Sequence, residues 1–261
     1  MQTARTALGT AGTALGTATL GTATVGAALL TVEVWAAARR QYLPAHSAPP
    51  VDGEYGEPGG QPLRLVVLGD STGAGVGVTD TEDTVGAALS RRLAHLGRRV
   101  RLAGVAIAGS GTGDLGPQVS RALLGRPDVA VLLVGANDAT RGTPLGAVRR
   151  NLTEAVRRLR ATGVPVVVGT CPDLGAVRAF AQPLRSILAW RGRRVATASA
   201  TATRDAGGVA VDLAVATGAV FRADPGTFSV DRFHPSADGY RLLAEALLPA
   251  VTEAAAERAP L

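Results

Sequence analysis

LRLVVLGDSTGAGVGVTD, Leu63 to Asp80, changes character at Gly69. An apolar run stops at Gly69-Asp70-Ser71, and Gly73, Gly75 and Gly77 follow. A continuous Leu/Val run bounded by glycine reads as a strand covered on both faces, the kind that parallel sheets contain. Everything chemical in the chain is then sought where such strands end.

Outward from this stretch the pattern repeats. Further strand-like runs cover residues 100–107, 129–134, 164–168 and 209–213. Helical patterns lie between and after them, over residues 81–96, 114–124, 144–162, 183–206 and 236–255. Thr81-Glu82-Asp83 reads as a helix start, with Val85, Leu89, Leu93 and Leu96 along one stripe. Apolar strands alternating with helices imply an α/β fold: a three-layer α/β/α sandwich around a doubly wound parallel sheet of about five strands. Residues 63–261 form this domain. Residues 43–62, rich in Pro, Gly and acidic side chains, read as a linker.

In doubly wound sheets ligands sit beyond the carboxyl ends of the strands. Gly69-Asp70-Ser71 follows the first strand, and Ala108-Gly109-Ser110-Gly111 the second. Gly135-Ala136-Asn137-Asp138 follows the third, and Asp231-Arg232-Phe233-His234-Pro235 precedes the last helix. A serine hydroxyl is a weak nucleophile and needs a neighbouring base. His234 is the one histidine outside the linker and the helices, and Asp231 stands three residues before it, able to orient the imidazole. The backbone N–H groups of Ser71 and Gly109 and the amide of Asn137 are candidate donors to a developing oxyanion.

Three protein classes place glycines after a strand in this way. A dinucleotide site requires G-x-G-x-x-G directly after the strand and an acid ending the second strand. Neither is present. The α/β-hydrolase elbow G-x-S-x-G matches Gly69–Gly73 but belongs mid-chain, with its Asp and His well separated. The four blocks together instead resemble the SGNH (GDSL-type) hydrolase family, over nearly all of residues 63–240. The resemblance implies a flavodoxin-like sandwich, with Ser71 as nucleophile, His234 as general base and acid, and Asp231 as its partner. It also implies an oxyanion hole of Ser71, Gly109 and Asn137. The turn reads AIAGSGTGDL where a Ser-Gly-Ala type turn is expected, so Gly109 and Gly111 both remain candidates for the hole. The expected function is acyl-ester hydrolysis through an acyl-enzyme, on lipid or cell-envelope esters. A catalytically silent binding module of the same fold and a transacylase are the alternatives. No metal or organic cofactor is implied.

Other residues take structural roles. Asp70 caps the turn after the first strand, and Asp138 is a hydrogen-bond acceptor. His95 sits on a helix surface, His46 is solvated, and Cys171 is a small packed thiol that excludes an internal disulfide. All 27 basic residues are Arg and the net charge is +6. They fall in pairs such as Arg91-Arg92 and Arg157-Arg158 on helices, the signature of solvated faces. No nucleic-acid motif accompanies them.

Residues 6–32 carry no charge. As a helix they would span about 40 Å at ~1.5 Å per residue, enough to cross a bilayer with tilt. Residues 1–42 are therefore expected to be a membrane anchor or a signal segment, Ala36-Ala37-Ala38 offering an A-x-A site, with a soluble start as the third reading. Arg5 on one side and Arg39-Arg40 on the other leave orientation open. The expected location is the bacterial cell envelope, anchored or secreted.

Overall fold

Alternation along the strands divides the core in two. The computed structural model describes residues 28–37, 39–40 and 42–257. Strand β2 (Gln61–Gly69) sends Leu63, Leu65 and Val67 to one face and Val66 and Leu68 to the other. β4 (Val129–Leu133) does the same with Val129, Val131 and Leu133 against Ala130 and Leu132. The first face meets α3 (Val85–His95) and α9 (Ala237–Glu257). The second meets α4 (Leu115–Leu124), α6 (Leu145–Arg160) and α7 (Leu184–Asp205). Strands buried on both sides have no polar face, which is why they read as unbroken apolar runs.

The sheet has six strands in the order β1-β3-β2-β4-β5-β6. Here β1 is Gly53–Tyr55, β3 Arg98–Gly104, β5 Val166–Gly169 and β6 Val209–Val211. β2 through β6 pair in parallel, in the flavodoxin-like order. β1 lies antiparallel on the outside of β3. The chain leaves β2 for β3 on one side and then crosses to β4 on the other. The β2–β4 boundary is thus the topological switch point, where such sheets open a crevice beyond their carboxyl ends.

Several expectations are corrected. Residues 43–62 are not a linker throughout: they carry β1 and the first two residues of β2. Val51 is also buried there, in the α3/α9 half of the core. Pro and Gly mask the segment because an edge strand of three residues has no periodicity to show. The sheet accordingly has six strands rather than about five. The strand expected over 209–213 stops at Val211, and α8 (Leu213–Ala223), capped by Asp212, follows where the sequence shows no helical pattern. Its Val215 and Val220 are exposed, so its pattern is not amphipathic. Residues 81–83 form a separate 3-10 turn capped by Asp80, and α3 starts after Thr84, whose hydroxyl accepts from Ala87 N–H. β3 ends at Gly104 rather than 107. Two short helices were also missed, α2 (Ser71–Ala74) and α5 (Ala136–Arg141).

Of the expected N-terminal anchor, residues 1–27 lie outside the described residues. Residues 28–37 form a helix, α1, which packs Leu30 and Ala37 against a third apolar cluster around Phe180, Leu184 and Leu188. The Glu33 carboxylate accepts the Leu184 N–H at the start of α7, at 2.8 Å. Among the described residues no helix is long and apolar enough to cross a membrane.

Candidate active site

Gly69 has φ +129°, and a Cβ there would lie 1.8 Å from the Leu133 carbonyl oxygen. Only glycine lets β2 end this close to β4. The Asp70 N–H then donates to that same carbonyl at 2.9 Å. Asp70 caps α2, its carboxylate accepting the Thr72 N–H at 2.9 Å. Ser71 is the first residue of this one-turn helix, so its own N–H has no intrahelical acceptor.

Asp70 is buried, and burial pushes its carboxyl up to about 6, although the Thr72 N–H and hydroxyl favour the anion. A folded-state value above the unfolded one, about 3.9, makes its contribution to stability complete below about pH 4. That contribution is lost as pH rises through about 6. In Asp70→Asn the amide oxygen can still accept the Thr72 N–H, but no charge has to be buried. The urea midpoint of the variant relative to the unmodified chain should rise from pH 4 to pH 7. A difference that does not change over that range would contradict this account.

Asp231 and His234 sit on the turn before α9. The His234 Nδ1 lies 2.6 Å from Asp231 Oδ2. A carboxylate only accepts, so Nδ1–H is the donor and Nε2 is left as the free acceptor. Asp231 Oδ1 accepts the Phe233 and His234 N–H groups at 2.9 and 3.0 Å. Burial alone would raise the Asp231 carboxyl. The imidazole and the two N–H groups outweigh it and hold the group well below the usual carboxylate range.

This turn packs against the loop after Ser71. A Cβ on Gly77 would stand 2.3 Å from the Pro235 carbonyl oxygen. The buried Tyr240 hydroxyl of α9 donates to the Val76 carbonyl at 2.7 Å. Ser71, Asn137, Phe233 and His234 line both of two adjoining cavities, of ≈ 60 and ≈ 490 Å³.

The structure separates the two glycines. Gly109 has φ +86° and lines the larger cavity. Gly111 donates its N–H to Asp114 at 2.8 Å and faces Asp138. Asn137, near the start of α5, also lines this cavity, with one amide N–H donating to the Ser110 carbonyl at 3.0 Å. Asp138 is buried and accepts from both the N–H and the hydroxyl of Thr112, at 2.9 Å each. His95 and His46 are exposed. Cys171 is buried, which pushes its thiol up.

Sequence reasoning missed three contributors. Gln118, buried on α4, accepts the Gly69 N–H at 2.8 Å and donates to the Gly69 carbonyl at 3.0 Å and to Ser110 Oγ at 3.1 Å. It ties the turn before Ser71 to the turn holding Gly109. Phe233 packs its ring between Phe180, at 5.8 Å between centroids, and the His234 ring, at 4.8 Å. Val34, Ala37, Tyr42 and Leu43 of the N-terminal segment line the larger cavity. Gln118 and Leu43 reach the site from 49 and 188 residues away, which no local pattern marks. Among the described residues no three His, Cys, Asp or Glu side chains group to hold a metal ion.

A flavodoxin-like sheet with a capped serine at its switch point and a paired Asp-His turn beside it is the layout of an SGNH-type hydrolase. Residues 67–242 match the model of the GDSL-like lipase/acylhydrolase family, and the chain belongs to that family. It is an ester-hydrolysing enzyme. It is 40% identical over 267 residues to the GDSL-like esterase Rv1075c of Mycobacterium tuberculosis, covering 97% of this chain and 84% of that one. It is 31% identical over 105 residues to esterase TesA of Pseudomonas aeruginosa, covering 40% and 52% of the two chains. The fold is similar to the crystal structure of TesA (TM-score 0.58, 23% identity, 73% of this chain and 99% of that one). It is equally similar to a lipase/acylhydrolase from Enterococcus faecalis (TM-score 0.58, 22% identity, 73% and 96%).

Proposed function

We propose that the chain cleaves carboxylic esters through a Ser71-His234-Asp231 triad. The observation that carries the reading is His234, paired with Asp231 at 2.6 Å and lining the same two cavities as Ser71, a serine at a helix N-terminus. His234 Nε2 takes the Ser71 proton as Oγ bonds to the ester carbonyl carbon. The negative charge forming on the carbonyl oxygen is met by the N–H groups of Ser71 and Gly109 and the Asn137 amide. The intermediate collapses, the C–O bond breaks, and the alcohol leaves with the proton held by His234. Water then gives a proton to His234 and attacks the acyl-enzyme, releasing the acid and restoring Ser71. Asp231 keeps Nδ1–H in place and stabilises the imidazolium formed in each step.

The lining of the larger cavity, with Val34, Phe180, Leu184 and Leu188, supports esters with an apolar arm, lipid or cell-envelope acyl esters among them. Placement at the cell envelope, anchored or secreted, rests on the uncharged run of residues 6–32. A fluorophosphonate probe tests the triad. Stoichiometric labelling of the full chain, mapped by mass spectrometry to Ser71, is expected. A folded, unlabelled chain, or an adduct elsewhere, would refute the assignment.

A further inference from the structure

The N-terminal segment enters the site at several points. Val34 and Ala37 of α1, with Tyr42 and Leu43, line the ≈ 490 Å³ cavity that Ser71, Gly109 and Asn137 also line. The Tyr42 ring packs on Phe233 with centroids 5.0 Å apart. The Leu43 N–H donates at 3.2 Å to Asp231 Oδ2, the oxygen that also receives His234 Nδ1–H. Further contacts fix the segment to the domain. Glu33 accepts from the Leu184 N–H, and the Arg40 guanidinium donates to the Ala179 carbonyl at 3.2 Å.

An ester has two arms on either side of its reacting carbonyl, and two cavities meet at Ser71 and His234. The smaller, ≈ 60 Å³, accepts only a small group. The larger is within the range of cavities that hold whole small ligands, about 300–1,000 Å³. Its side chains from α1 are small, a valine and an alanine, so the volume there is set by what the N-terminal segment leaves unfilled.

We propose that Val34, Ala37, Tyr42 and Leu43 form a specificity-determining wall of this active site, which sets the length of the larger apolar arm the enzyme accepts. The proposal rests on Ser71 and His234 being the reacting pair. Ala37 faces the arm from α1, and Tyr42 fixes the wall against Phe233. The segment read from sequence as anchor and linker thus belongs in part to the substrate site.

The test uses the full chain and two substrate series. One is p-nitrophenyl esters from acetate to decanoate. The other is acetates of straight-chain alcohols from ethanol to decanol. In Ala37→Phe the ratio of kcat/KM for the longest to the shortest member should fall about tenfold or more, the scale on which apolar pockets discriminate added methylenes. In Tyr42→Ala, which opens the wall instead of filling it, that ratio should rise. A change in the acyl series assigns the acyl arm to this cavity, and a change in the alcohol series assigns the leaving arm. Either supports the wall. Unchanged ratios in both variants, with normal melting and normal Ser71 labelling, would overturn it. Absence of Ser71 labelling in the unmodified chain would instead refute the triad, and the wall with it.

Discussion

His234→Ala should lower kcat by about 10⁴–10⁶-fold and abolish fluorophosphonate labelling of Ser71. The size of the loss follows from one proton. Without Nε2 no other described residue in the proposed triad can take the Ser71 hydroxyl proton during attack or return it to the leaving alcohol. Ser71→Ala should cost as much, and combining the two should cost little more, because the pair acts as a unit. The fold should survive, since Asp231 keeps the backbone N–H groups of Phe233, of residue 234 and of Leu43. Turnover of a p-nitrophenyl ester beside circular dichroism measures both halves. A folded variant with undiminished kcat would eliminate His234 as the base.

Asp231→Asn should cost about 10⁴-fold in kcat. The geometry says how. Asp231 Oδ1 accepts two backbone N–H groups, so the asparagine oxygen must occupy that position. The NH₂ group is then forced to the Oδ2 position, where it confronts both His234 Nδ1 and the Leu43 N–H. Nδ1 can only accept from an NH₂ group, which moves the ring proton to Nε2. An Nε2 that already carries a proton has no lone pair with which to take another from Ser71. A variant with near-normal kcat at neutral pH would contradict that tautomer argument.

The parts of the candidate site that lie on single turns are marked in the sequence. Gly69-Asp70-Ser71 ends an apolar run, and the glycine has φ +129° at a point where a Cβ would lie 1.8 Å from the Leu133 carbonyl oxygen of the neighbouring strand. Asp231 and His234 are three residues apart, so their pairing is local. Gly109 and Asn137 come five and four residues after the ends of β3 and β4. What was hidden is held by contacts across the chain. Leu43 meets Asp231 across 188 residues and Gln118 meets Gly69 across 49, and no local pattern marks either. The parallel sheet followed from apolar runs alternating with helices, and its flavodoxin-like order from the family resemblance. β1 did not, because three residues paired on one side supply no period. The length of the N-terminal segment and its lack of charge drew attention to membranes, while its described end packs on the domain.

The same β1 bears on how this protein behaves in solution. Both outer strands of the sheet, β1 and β6, are only three residues long. A short outer strand offers a second molecule few free N–H and C=O groups to pair with. Were the chain trimmed to begin at Leu63, β3 would become an outer strand of seven residues, its backbone open along the side that β1 now covers. Such a shortened protein would lose more than a wall of its substrate cavity. It would gain a surface for joining sheet to sheet, and its tendency to self-associate would rise with concentration.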